Sequence, residues 1–342
     1  MPDLREATNH LAPLSLPAQI SLYFPGRDGR LGWQDSPELP VIRAERRRLR
    51  DWLSTNIPIQ WGKRVRKVEH DDEGVAVVFE DGSRAEGDIL VGADGIKSVV
   101  REYLLQRSSD ELLKLVPLAA IVGEVDLSGE AFKRQLQLGH SAYVFVSPDI
   151  GFWNFGGLHH AYPDGRSGRH YWMFMESDAH VADADHWLQT ATQDEKLDYV
   201  LKKVAKMPPK FREVFEATPA SGIKKEPHIW RDLELENVPA GRVILMGDAA
   251  HAMTPFRGEG GHHTFIDAMQ LSQVLGKVNE RDIESIKAAV AEYNAEMLER
   301  GVEAVRNSRT EQAARKSEER KSNSQSPATL PKPLPEVEIV LG

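Results

Sequence analysis

The residues best suited to chemistry lie between Gly241 and Ala268, in GRVILMGDAAHAMTPFRGEGGHHTFIDA. Arg242 to Met246 form a short apolar run with the length of a buried parallel strand. Gly247 and Asp248 end it. Pro255 and three glycines, Gly258, Gly260 and Gly261, then precede a segment with helical spacing, in which Phe265, Ala268, Met269, Ser272 and Leu275 share one face. A strand, a glycine-rich turn and a helix start make a seat for a nucleotide or another electron-rich ligand. Glycine lets backbone N–H groups come close, and the helix N-terminus favours negative charge. A second segment has the same grammar. Asp88 to Val91 reads as an apolar strand, Asp94 and Gly95 as a turn, and Ser98 as the N-cap of a helix continuing through Tyr103.

Together the two segments resemble the flavin motifs of the FAD-dependent aromatic hydroxylases, the group A flavoprotein monooxygenases of the p-hydroxybenzoate hydroxylase fold. GADGIKSVVR, Gly92 to Arg101, matches the motif in which the aspartate lies beside FAD and the path of the nicotinamide donor. Gly247-Asp248-Ala249-Ala250-His251, Pro255, Gly258, Gly260 and Asp267-Ala268 fall on the other, with His262 where asparagine is usual. The resemblance implies that Asp248 holds the ribityl chain and that the backbone from Gly258 through Gly261 to His262 faces the pyrimidine end of the flavin ring. Arg46, in Arg46-Arg47-Arg48-Leu49-Arg50, matches an R-x-x-L-R segment whose arginine reaches FAD. The cofactors implied are FAD and NADPH or NADH. The reaction implied is oxygenation, through a flavin C4a-hydroperoxide, of an aromatic, polyketide or terpenoid-like molecule in secondary metabolism or aromatic catabolism. Molecular oxygen is the co-substrate. No catalytic acid or base is assigned, and W-x-W-x-I-P, the mark of flavin halogenases, is absent.

Length and composition set limits around this site. The 342 residues suffice for one large or two ordinary domains, and 41% hydrophobic with 28% charged residues suits a packed core. Forty-three basic against 52 acidic residues leave a net charge of −9. That offers no basic field for nucleic acid. Cysteine is absent, which excludes disulfides, thiolate nucleophiles and cysteine-based metal sites. The paired histidines, His159-His160 and His262-His263, have no acidic residue at a ligand spacing, so no metal is expected. No apolar run reaches membrane-spanning length and residues 1–20 lack the form of a signal peptide, so a cytoplasmic protein with no transmembrane segment is expected.

The expected class is α/β: an FAD/NAD(P)-binding-type parallel sheet, incomplete at the N-terminus, with an antiparallel-sheet substrate domain and a long C-terminal helix. Residues 1–111 form the partial FAD-binding region with the first flavin motif. They include a hairpin at Gly26–Gly29, a helix over 41–56 and a small antiparallel sheet over 63–91 turning at Asp81-Gly82. Residues 112–240 form the substrate domain, with aromatic strands at 142–146, 152–155 and 170–175 and helix over 184–217. Alternation puts His170, Trp172 and Phe174 on one sheet face and Tyr171, Met173 and Met175 on the other, and leaves open which covers the ligand. An aromatic, methionine-rich sheet with few fixed charges suits an apolar ring-bearing substrate. Residues 241–310 carry the second motif and a helix from about Asp282 with Ile286, Ala289, Val290, Tyr293 and Met297 as its stripe. Residues 311–342, polar and then proline-rich, are expected to be disordered.

The fold implied by the resemblance opens with a βαβ unit carrying G-x-G-x-x-G for the FAD pyrophosphate. GRDGRLG has similar glycines but reads as a hairpin, and no such unit is found. The expectation is a fragment of an active hydroxylase. The alternatives are a flavin-free paralogue that serves as a binding or scaffold protein, and a second chain that supplies the missing unit.

Overall fold

In the computed structural model, residues 3–71, 73–278, 282–314, 331–335, 339 and 341 are described. The chain divides into two compact, interleaved units: residues 1–59, 117–229 and 321–342 form one, and residues 60–116 and 230–320 the other.

The first unit is built on a seven-stranded sheet. Its order is Lys332–Pro333, Leu31–Gln34, Gln19–Tyr23, Ala142–Phe145, Trp153–Ala161, Ser167–Ser177 and Leu118–Ser128. All neighbours are antiparallel except Gln19–Tyr23 with Ala142–Phe145. Residues 1–59, read from sequence with the FAD-binding region, thus fold with the aromatic sheet. The sheet's two faces separate clearly. His170, Trp172 and Phe174 are buried, and their rings meet Phe132, Phe215 and Phe152. Tyr171 and Met173 lie half-buried on the opposite face, so that is the face left open. Trp172 also fixes the neighbouring strand. It pairs with Gly123, where an added Cβ would stand 2.3 Å from the indole, and its Nε1–H donates to Thr218 Oγ1 at 2.8 Å.

Two expectations change for local reasons. The helix over 184–217 is three helices, Trp187–Thr190, Gln193–Val204 and Pro209–Glu216. Thr192 and Glu195 form a capping box that starts the second, and Pro208-Pro209 starts the third. The helix expected over 41–56 is only Arg46–Leu53, because Glu45 accepts from the Arg47 and Arg48 amides and so defines its start. Most of the expected disordered tail lies outside the described residues. Within 331–335, however, Lys332 and Pro333 pair with Gly32 and Leu31, and Arg30 Nη2 donates to the Pro335 carbonyl at 2.9 Å. Proline is admissible there because the strand is at the sheet's edge.

The second unit holds a parallel pair, Leu90–Gly92 with Val243–Leu245, and the three-stranded meander Val65–His70, Val75–Phe79 and Arg84–Gly87. The helices Val99–Leu105, Gly260–Leu275 and Ile283–Ala314 complete the frame that matters for function. Val77, Val100, Val243, Ile244, Leu245 and Val290 belong to one apolar core cluster. The long helix buries most of the expected stripe: Ile286, Val290, Tyr293 and Met297 are at most 4% exposed, and Ala289 is partly buried against the same core. Tyr293 adds a hydrogen bond from its hydroxyl to the Leu245 carbonyl at 2.9 Å.

The packing around Trp172 makes the first unit's stability testable. Trp172→Ala removes a fully buried side chain and a satisfied hydrogen bond, and is expected to cost about 3–5 kcal/mol. Gly123→Ala, which adds one methyl group opposite the ring, is also destabilising. Urea unfolding followed by tryptophan fluorescence and circular dichroism measures both.

Candidate functional site

The parallel pair sets the geometry. Leu245 stands opposite Gly92, so the two strands end together and both turns leave from the same carboxyl edge. In open α/β sheets this edge is where ligands sit. After the first strand, Gly95 adopts φ +82°. Asp94 is exposed but anchored: Ser98 Oγ donates to its Oδ1 at 2.5 Å and the Val100 amide to its Oδ2 at 3.3 Å. Ser98 in turn caps the Val99–Leu105 helix by accepting from the Arg101 amide. After the second strand, Gly247 sits at φ +59°, ψ −143°, a conformation open to glycine and strained for other residues. Asp248 follows at the surface, and no described residue bonds its carboxylate.

Two buried side chains hold these turns. Arg101 is fully buried; it donates to the carbonyls of Ala249 at 3.1 Å and Ile96 at 2.6 Å, and to Ser109 Oγ at 2.7 Å. It therefore ties the first motif to the second. Burial works against its charge and lowers its pKa. Asp267 is 0% exposed and accepts three bonds at 2.7 Å, from the Gly247 amide, His251 Nε2 and Arg300 Nη2. Burial alone pushes the Asp267 carboxyl up. The bonds from His251, Arg300 and Gly247 outweigh it and hold the pKa below the ordinary aspartate value. The sign follows: this carboxylate stabilises the fold above about pH 4, and the contribution is lost as pH falls through the depressed value.

Its partners are themselves fixed. Arg300 also pairs with Glu296 at 2.7 Å and donates to His263 Nδ1 at 3.1 Å. An acceptor Nδ1 means a neutral His263, in line with its lowered pKa, which burial causes first and Arg300 second. His251 Nδ1 is buried without a partner. Gly301 makes room for the His251 ring, since a Cβ at 301 would lie 2.8 Å from His251 Cδ2.

This network also decides how the Gly260–Leu275 helix is rotated. The sequence spacing puts Phe265, Ala268, Met269, Ser272 and Leu275 on one face, and that face is not the buried one. The structure buries His263, Asp267, Leu271 and Val274, and leaves Phe265 and Met269 48% and 62% exposed. Two apolar side chains at the surface are less costly than an unpaired buried carboxylate, guanidinium and amide. At the start of this helix Pro255 to Arg257 form a 3-10 turn, Gly258 follows at φ +69°, and no side chain caps Gly260. Gly258, Gly261 and His262 are exposed, Gly260 partly so. The first amides of the helix thus have no capping side chain. Arg257, a candidate ligand contact by position, is paired with Glu259 at 2.8 and 2.9 Å.

The structure therefore gathers Asp94, Gly95, Gly247 and Asp248 at one edge, with Pro255, Gly258, Gly260, Gly261 and His262 on the loop and helix start that follow. Arg46 belongs to the other unit, as an exposed residue opening the Arg46–Leu53 helix. Arg101 and Asp267 were visible as motif letters, but nothing local marks them as the buried clamps. Arg300 lies 33 residues beyond Asp267 and carries no signal of its own.

Among the described residues, no helix is long and apolar enough to cross a membrane, and no group of three or more His, Cys, Asp or Glu side chains is arranged to hold a metal.

Comparison with known proteins agrees with this geometry. A family model described as an FAD binding domain matches residues 31–308. The FAD-dependent monooxygenase thnD of Trichoderma harzianum is 62% identical over 313 residues, which cover 90% of this chain and 77% of that protein. The salicylate hydroxylase of Pseudomonas putida is 31% identical over 269 residues, 72% of this chain and 57% of that one. Among solved structures, Klebsiella pneumoniae HpxO complexed with FAD and uric acid shares the fold with a TM-score of 0.67 at 23% identity, covering 93% of this chain and 75% of that one. The chain belongs to the FAD-dependent monooxygenases of the aromatic-hydroxylase type.

Proposed function

We propose that this chain carries the flavin-ring and substrate-facing parts of an FAD-dependent, NADPH- or NADH-driven monooxygenase that oxygenates a ring-bearing small molecule. The observation that carries the reading is the common edge of the parallel pair, from which Asp94 and Asp248 both emerge exposed beside an uncapped helix start. This donor set fits the ribityl and ring end of FAD. Asp248 accepts from ribityl hydroxyls. The helix start at Gly260, Gly261 and His262, which no side chain caps, with Gly258 in the turn before it, would face the electron-rich pyrimidine edge, where reduced flavin gathers negative charge. Asp94 and Gly95 border the same edge, and Gly247 and Pro255 shape its loop. When bound, FAD supplies the reduction by nicotinamide and the activation of oxygen for insertion into an electron-rich ring. The chain's own part is to hold and orient the cofactor, to stabilise charge at that edge and to exclude water. Relatives named for salicylate and urate hydroxylation support a ring-bearing substrate.

Flavin titration tests this reading. FAD and FMN, followed by flavin fluorescence, are expected to bind saturably. Asp248→Ala is expected to weaken both by about 1–2 kcal/mol, the worth of hydrogen bonds to a charged acceptor. Equal affinities remove Asp248 from the site, and no saturable flavin binding by the wild type contradicts the reading.

A further inference from the structure

The described residues expose nine large apolar side chains, and four of them, Ile42, Leu53, Ile57 and Ile59, fall within residues 42–59 of the first unit. Single apolar side chains at a surface are ordinary, but a contiguous group is not. Here the side chains meet. Leu49, Leu53, Ile57 and Ile59 line one open groove of about 370 Å³, with Arg46 and Arg50 also in its wall. Leu49 and Leu53 are four residues apart on the Arg46–Leu53 helix and so share a face. Asn56, at φ +63°, takes the left-handed conformation that asparagine tolerates, and the Ile57 amide donates back to the Ser54 carbonyl at 3.1 Å. The chain therefore turns after the helix, and Ile57 and Ile59 join Leu53 in the groove.

The same helix is cationic. Residues 42–59 contain five arginines and two carboxylates. Both acids are engaged locally: Glu45 accepts from the Arg47 and Arg48 amides, and Asp51 pairs with Arg50 at 2.8 Å. Arg48 turns to the Asn9 carbonyl and Arg43 to the Tyr171 hydroxyl. Arg46 and Arg47 stay exposed, and among the described residues no carboxylate pairs with either. Other arginines of this unit are neutralised in place: Arg5 by Asp35, Arg134 by Glu213 and Arg169 by Asp126. An apolar groove and two unanswered cations thus lie on one short segment.

We infer that this face, the Arg46–Leu53 helix with Ile42, Ile57 and Ile59, is a docking surface for an anionic lipid membrane. The leucine and isoleucine side chains enter the boundary between headgroups and acyl chains, and Arg46 and Arg47 meet lipid phosphates and carboxylates. One ligand then satisfies both halves of the face. A second copy of this chain is a poorer occupant. A two-fold contact uses the same face on both copies, so the unanswered arginines would meet their own kind. The helix lies on the surface and does not cross it, since its eight residues reach only about 12 Å against a hydrocarbon core of about 30 Å. The inference goes beyond the flavin reading and does not depend on it.

Flotation of the full chain with lipid vesicles tests this. Two compositions are compared, phosphatidylcholine alone and a two-to-one mixture of phosphatidylcholine with phosphatidylserine. At about 0.1 M salt the mixture is expected to bind at least about tenfold more tightly, and at about 1 M salt the difference should shrink. Arg47→Gln should weaken binding to the mixture by about fivefold and leave binding to phosphatidylcholine alone unchanged. Ile57→Ser should weaken binding to both by at least about tenfold. Thermal melts establish that each variant is folded; should Ile57→Ser unfold, Arg47→Gln and the salt dependence decide. No binding to the mixture, equal binding to both compositions, or binding that neither substitution weakens overturns the docking surface. Dimerisation that Ile57→Ser abolishes, seen by sedimentation without vesicle binding, gives the face to a second copy and likewise overturns it. The FAD titration on the same preparations separates the two claims. Flavin binding without vesicle binding removes only the docking surface, and vesicle binding without flavin binding removes only the monooxygenase reading.

Discussion

A single buried carboxylate organises the flavin-type half of this protein. Asp267 is out of water, and a bare charge there is costly. Three donors at 2.7 Å, from an amide, an imidazole and a guanidinium, make it tolerable. Each donor belongs to a different element: the turn at Gly247, the short Asp248–His251 helix and the long Ile283–Ala314 helix. The carboxylate therefore fixes where the strand ends, how the turn leaves it and which way the next helix is rotated. Asp248 is exposed because its neighbours on both sides are held from beneath.

The long helix acts as the brace. Besides Arg300, it sends Tyr293 to the Leu245 carbonyl, Ser308 to Thr254, and Arg309 to Asp232 at 2.6 and 2.7 Å. These contacts reach the strand before the turn, the loop after it and the strand Arg231–Leu233. A loop that must present free amides to a ligand cannot be stabilised by using those amides. Here the stabilisation comes from side chains behind it, which is the arrangement preorganised sites require. The other unit repeats the logic with different chemistry. Trp172, His170 and Phe174 anchor the aromatic sheet on one side, leaving Tyr171, Phe155 and Arg43 available on the other.

Much of this was legible in the residues. Both motifs, the Ser98 cap, the Asp81-Gly82 turn and the apolar stripe of the long helix follow from local rules, and the structure has them. The failures share a cause, which is that they depend on partners distant in sequence. Periodicity groups Phe265 and Met269 on one face of the Gly260–Leu275 helix but does not reveal that the buried face is the one carrying Asp267, which reads as a polar residue until Arg300 and His251 are beside it. The sheet's open face was undecidable until Phe132 and Phe215 were seen to cover the other. The run Arg43 to Arg50 drew attention to Arg46, yet Arg46 turns outward while Arg43 turns onto the rings. Lys332 and Pro333 looked like tail because an edge strand needs only a neighbour, and that neighbour, Leu31–Gln34, lies at the opposite end of the chain.

Asp267 is the group on which the turn depends, and amide hydrogen exchange at Gly247 measures its effect where it acts. In the wild type this amide should be strongly protected at neutral pH. In Asp267→Asn, which keeps the shape but removes the charge that Arg300 and His251 answer, exchange at Gly247 should be at least about a hundredfold faster, the consequence of losing ~3 kcal/mol from a broken buried pair. Equal protection in the two proteins would mean that the turn is held by something other than this carboxylate, and the central claim would be wrong.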